Sequence, residues 1–149
     1  MKNLNSILMK STFILLIFIL LVGCSSNKRN LTNKFYGQWA IEDMIYNNNS
    51  FKEKLNINFM VFNKENKISL PESEKGKKDT NSKWSIIEKD QTRNMLLIET
   101  GNKPFQGLYK VNFIKDKKKK LVGIELISDS TYIKAFKFFQ NFDEVERNW

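Results

Sequence analysis

The feature that most limits how this chain can fold is a strict two-residue alternation. Phe105, Gly107, Tyr109, Val111 and Phe113 are opposed by Gln106, Lys110 and Asn112. Successive side chains of a strand point to opposite faces, so this segment has one apolar and one polar face as a strand and neither as a helix. The same period runs through Gly37 to Tyr46, with Trp39, Ile41 and Ile45 on one side. Leu55, Ile57, Phe59 and Val61 alternate with Asn56, Asn58, Met60 and Phe62. Shorter runs follow: Lys67 to Leu70, stopped by Pro71; Trp84 and Ile86 through Glu88; Met95 to Thr100; Leu121 to Ile127; Tyr132 to Phe139. Turn-forming residues separate them at 47–50, 90–93, 101–104, 117–120 and 128–130, and the longest loop runs from Glu72 to Ser82. Residues 33–36 read as one helical turn. Eight strands with hairpin-length connections predict an all-β fold, an eight-stranded up-and-down antiparallel β-barrel. Closing the sheet removes exposed strand edges. Such a barrel holds either packed side chains or one small ligand.

The strands are preceded by a different kind of segment. Lys2 and Lys10 give a positive start, Thr12 to Val22 is almost wholly apolar, and small residues follow. That order describes a secretory signal peptide. The uninterrupted run is shorter than the roughly 20 apolar residues a membrane-spanning helix needs. Leu21-Val22-Gly23-Cys24 closes it and resembles the bacterial lipobox. The resemblance implies cleavage before Cys24 and acylation of its thiol with diacylglycerol, and in most cases a third, amide-linked chain such as palmitate. The predicted organisation is a signal peptide over 1–23, a lipidated tether over 24–33 and a barrel domain over 34–149. Two or three acyl chains anchor durably where one binds only marginally.

Composition narrows the chemistry. The chain has one cysteine and no histidine. Serine–histidine and cysteine–histidine catalysis is excluded, as are the common zinc sites. With Cys24 acylated no disulfide can form, so packing alone must hold the domain. Removal of residues 1–23 takes away Lys2 and Lys10, leaving 23 basic against 16 acidic residues, a charge of +7. The acids are scattered among lysines, the pattern of a solvated surface. No enzyme activity, cofactor or metal is expected. Nucleic acid is not an expected partner of an exported, lipidated chain.

A short turn followed by Gly37-x-Trp39 on the first of eight strands resembles the lipocalin and wider calycin pattern, most closely the small lipocalin-like lipoproteins of Bacteroidetes-type bacteria. The resemblance covers about residues 34–140. It implies a structural pair: Trp39 closes one end of the barrel and Gly37 lets the chain pass close beneath. Lipocalins also carry an arginine near the end of the last strand that packs on the tryptophan. Here that strand offers Lys134 and Lys137.

The inward set predicted from alternation is Ile57, Phe59, Trp84, Phe105, Tyr109 and Phe113, with Gly107 leaving a gap. Such a wall would suit an apolar or amphipathic ligand, oriented by the Tyr109 hydroxyl. Phe51 sits in a polar loop at the expected mouth, built from Asn47–Lys54, Pro71–Ser82, Gly101–Pro104 and Ser128–Ser130. It could cover a cavity or pack on the rim. The first expectation is therefore a lipid-anchored binding protein of the cell envelope, monomeric, on the outer membrane and facing the periplasm. The second is a filled barrel whose loops contact an envelope partner. The basic tip Lys117–Lys120 falls at the opposite end, either as a solvated turn or in contact with anionic headgroups.

Overall fold

The computed structural model describes residues 31–72, 81–90 and 93–138, with backbone only for 88–90, 93 and 94. The chain divides into two units, Met1–Lys34 and Phe35–Trp149. A helical turn covers residues 31–35. Cys24, the predicted signal peptide, most of the longest loop and the tail beyond Phe138 lie outside the described residues.

The second unit is a meander of antiparallel strands: β1 (Gly37–Tyr46), β2 (Asn49–Ser50), β3 (Phe59–Phe62), β4 (Ile68–Ser69), β5 (Lys83–Asp90), β6 (Arg93–Glu99), β7 (Gly107–Asp116), β8 (Leu121–Ile127) and β9 (Thr131–Lys137). They pair in the order β4-β3-β1-β9-β8-β7-β6-β5, with β2 off this path on β1. The predicted eight-stranded antiparallel barrel is what forms. The extra strand is the two-residue return of a tight turn, where Asn47 and Asn48 take positive φ of 49° and 62°. Pairing of β1 with β9 brings the two ends of the chain's meander together.

One seam stays unsealed. Between β4 and β5 there is a bridge at Lys67↔Lys83 rather than a ladder. Beside it the Trp84 N–H donates to the Asn66 carbonyl at 2.8 Å and the Ile68 N–H to that of Ser82 at 3.1 Å.

Inside, β1 contributes Trp39 and Ile41, β6 Leu96 and Ile98, β7 Tyr109, β8 Ile124 and Leu126, and β9 Ile133 and Ala135, all buried. The register explains two departures from the expected faces. In β1 the pairing jumps from Ile41↔Ala135 to Asp43↔Lys134, so Glu42 is an extra residue. This bulge turns Met44 inward and leaves Ile45 outside, where alternation had placed Ile45 with Trp39. In β3, Met60 pairs with Trp39 and Phe62 with Gly37, so these two face inward and are buried. Phe59 faces outward, against expectation. Ile57 is not in a strand at all and is 61% exposed. Both faces of Phe59-Met60-Val61-Phe62 are apolar, so the alternation carried no information about phase, and a one-residue shift exchanges the faces.

Two glycines shape the wall. Gly37 has φ of +112°, a backbone that L side chains avoid, while space beside it is open enough for Lys137 Cε to sit 3.6 Å from an added Cβ. Gly123 is the reverse: its conformation is ordinary, but a Cβ would meet Phe136 Cδ1 at 2.8 Å and the Ala135 carbonyl oxygen at 2.9 Å. Phe136 therefore lies across the outer face of β8 only because position 123 is bare.

Candidate functional site

The two ends of the barrel are built differently. At the end where the chain enters, Phe35 inserts its ring among Phe62 at 5.3 Å, Trp84 at 5.7 Å, Phe113 at 5.8 Å and Trp39 at 6.5 Å between centroids. These tilted and edge-on arrangements are the favoured ones for aromatic pairs. The Trp39 indole N–H donates to the Phe35 carbonyl at 2.7 Å, which ties Phe35 to the first strand. Lys137 on β9 places its ammonium 5.2 Å from the centre of the Trp39 ring. It stands where the resemblance puts an arginine, and it settles which of the two lysines packs there. Lys137 is 8% exposed. Burial pulls its ammonium down to about 8 from the ordinary 10.5.

The other lysine, Lys134, points outward and pairs with Glu42 at 2.7 Å. That hydrogen bond raises its ionisation above the usual lysine range.

The opposite end is the mouth, and the four loops expected there do meet. The Asn102 amide donates to the Pro71 carbonyl at 3.0 Å, the Thr131 hydroxyl to that of Pro104 at 3.1 Å, and Ser82 to Thr100 at 2.8 Å. The Asn47 N–H donates to the Ser130 carbonyl at 2.8 Å, and that of Asn56 to Glu72 at 3.0 Å. Polar bonds join the loops at this end.

The predicted ligand wall separates into three groups. Trp84, Phe105 and Tyr109 are inside and essentially unexposed. Phe105 ends a short 3-10 turn, Lys103–Phe105, and tucks under the mouth instead of opening the strand. Phe113 faces Phe35 yet is 37% exposed, because it lies at the entry end of β7. Ile57 and Phe59 are not part of the wall. Phe51 packs on the rim, edge-on to Tyr46 at 5.7 Å, with the Lys54 ammonium 5.6 Å from its ring. The gap at Gly107 is real but small: an added Cβ would lie 3.8 Å from the Tyr109 ring and 4.0 Å from Ser128 Cβ, room for a methyl group.

Comparison with family models, curated proteins and solved structures found no match. The architecture itself is compatible with a lipocalin-like fold, and a barrel of this kind is consistent with ligand binding.

One polar group inside stands out. The Tyr109 hydroxyl is buried and makes no hydrogen bond. Burial pushes its ionisation up to about 12. The nearby hydroxyls of Thr131 and Ser128 moderate that rise, but neither reaches it in bonding geometry. Their own protons are committed elsewhere: the Thr131 hydroxyl donates to the Pro104 carbonyl at 3.1 Å, and Ser128 Oγ donates to the Thr131 carbonyl at 3.3 Å. Asn58 Oδ1 is a second buried oxygen without a bond.

Sequence reasoning missed Phe35, Met60 and Phe62 as interior residues and Gly123 as a packing site. The preference of lipocalin-like chains for a helical turn before Gly-x-Trp pointed to the Phe35 region. Nothing in the local pattern pointed to Gly123.

Proposed function

We propose that this is a non-catalytic, lipid-anchored protein of the bacterial cell envelope, and that it works through its outer surface and loops, around a filled barrel. One observation carries this reading. The largest interior side chains, among them Trp39, Trp84, Tyr109, Phe35, Phe62 and Phe105, each keep less than 2% of their surface exposed. Exposure near zero on inward residues leaves no water-sized space against them, and a ligand chamber needs several hundred cubic ångströms. The signal segment, the lipobox-like Leu21-Val22-Gly23-Cys24 and the absence of histidine support the anchored, non-catalytic part.

The test is titration of a Cys24→Ser protein, soluble and without acyl chains, with fluorescent fatty acids and other apolar probes. No saturable binding at tens of micromolar supports the filled barrel. Stoichiometric binding that Phe105→Ala or Trp84→Ala alters would reverse it. The anchor is tested separately. Cys24→Ser should leave the membrane fraction, and retention of that variant at the wild-type position would remove the lipoprotein reading.

A second reading has its own observation. The bare Tyr109 hydroxyl, beside the space at Gly107 and under Phe105, offers one hydrogen-bond donor to a ligand's carboxylate or hydroxyl group. Such a ligand would have to displace Phe105 to enter.

A further inference from the structure

The outer face of the barrel is not uniformly polar. Register places Phe59 opposite Ala40, Ala40 opposite Phe136, Phe136 opposite Gly123, and Gly123 opposite Ile114. These residues share the outward face, so one continuous apolar row crosses β3, β1, β9, β8 and β7. Phe138, just past β9, stacks edge-on against Phe59 at 5.2 Å and extends the row into a patch. Phe59 and Phe138 are each 37% exposed. Single exposed apolar residues need no explanation, but a contiguous set does.

A polar row bounds the patch on the mouth side. Asn112, Glu125, Lys134 and Asp43 are successive register partners. On the other side the patch runs to the entry end, where the exposed Lys117–Lys120 turn joins β7 to β8. The chain enters through the same area: Gln38, two residues after Tyr36, accepts the Phe138 N–H at 2.9 Å. Ten residues lie between Cys24 and Phe35, so the eleven steps from one to the other span at most about 40 Å of extended chain.

We propose that this patch is the face the barrel lays on the leaflet that holds its own acyl chains, with the phenylalanines at the acyl boundary and Lys117–Lys120 against anionic headgroups. The proposal rests on the lipid-anchored reading. Three features select a membrane over another occupant. The aromatic patch lies at the start of β1, where the Phe138 N–H reaches the Gln38 carbonyl, three residues after Phe35. A block of four lysines borders it, and the chain carries a net charge of +9 with its signal segment and +7 without. Aromatic and aliphatic groups beside a lysine cluster are the usual composition of interfacial binding surfaces.

The experiment uses the acylated protein reconstituted in vesicles of phosphatidylethanolamine and phosphatidylglycerol. Acylation of Cys24 leaves an introduced cysteine as the only thiol to spin-label. Gln38 is exposed on the same outward face of β1 as Ala40 and beside Phe138, and Ile127 is exposed on the mouth side of the polar row. A label on Gln38→Cys should gain oxygen accessibility and lose access to a water-soluble nickel chelate, while one on Ile127→Cys stays water-like. Combined Lys117→Glu, Lys118→Glu, Lys119→Glu and Lys120→Glu should abolish the shielding at position 38 while the protein remains in the membrane fraction. Two water-like labels on a membrane-bound protein would overturn the docking. Shielding at position 38 that persists in lipid-free micelles and grows with protein concentration would assign the patch to a second copy instead. Unchanged shielding after charge reversal would overturn the headgroup contact. Failure of the anchor itself reads differently: the protein appears in the soluble fraction and Cys24 carries no added acyl mass.

Discussion

The entry end and the mouth of this barrel solve the same problem with opposite chemistry. At the entry end, rings fill the space, the Trp39 N–H has its acceptor in Phe35, and a lysine ammonium lies against the tryptophan face. At the mouth, the loops are joined by hydroxyl, amide and carbonyl groups, and a tyrosine hydroxyl is buried without a bond. Aromatic burial contributes in proportion to area and tolerates little loss. A polar network contributes modestly per bond and leaves costly remainders where it is incomplete. The entry end should therefore govern stability, and the mouth should be where change is cheapest.

The largest effect is expected from Trp39→Ala, which should cost about 3–5 kcal/mol, the range for deleting a buried large aromatic. Denaturant midpoints measure it directly. An unchanged midpoint would mean the ring cluster does not organise the fold. Next comes Gly123→Val, expected to cost about 1–3 kcal/mol as overpacking against Phe136 and the Ala135 carbonyl. Phe136→Ala in the same chain should recover part of that loss, because it removes one of the two obstructions. A recovery of zero would assign the whole cost to the backbone contact.

A smaller effect separates Lys137 from the exposed lysines. Its folded-state value of about 8 lies below the ordinary 10.5. Between these values the unfolded chain binds more protons than the folded one, so stability from this group rises with pH across about 8 to 10.5. Below pH 8 both states are protonated and the slope vanishes. Lys137→Met should flatten the profile in that window, and an identical slope in wild type and variant would show that the ammonium is not buried in solution.

The smallest change belongs to the mouth. Tyr109→Phe removes a hydroxyl that has no partner, so it should be neutral or stabilising by up to about 1 kcal/mol. A loss of more than that would reveal a hydrogen bond, direct or through water, and would favour the reading in which Tyr109 orients a ligand.

Legibility in the sequence followed the same division by chemistry. Strand β7 could be placed because Gln106, Lys110 and Asn112 oppose its apolar positions, so period and phase were both visible. The four mouth loops followed from strand count alone. Strand β3 had its period visible and its phase hidden, since Phe59 and Met60 are equally apolar. The bulge at Glu42 leaves no local signal; it appears only when β9 is laid beside β1. Lys137 was legible as one of two candidates from the tryptophan resemblance, and β9's own register decided between them. The burial of Phe35, Met60 and Phe62 was not legible, because they converge from two separate segments.

The proposed filled barrel requires that no space for a ligand exist inside it. Xenon enters dry apolar cavities that water leaves empty. The direct measurement is methyl NMR of the folded protein under xenon pressure, following Ile98, Ile124, Leu126 and Ile133 around the interior. A filled barrel should give only small shifts, linear in pressure, at all four. Saturable shifts at these methyls, localised beneath Phe105 and Tyr109, would contradict it and establish a chamber.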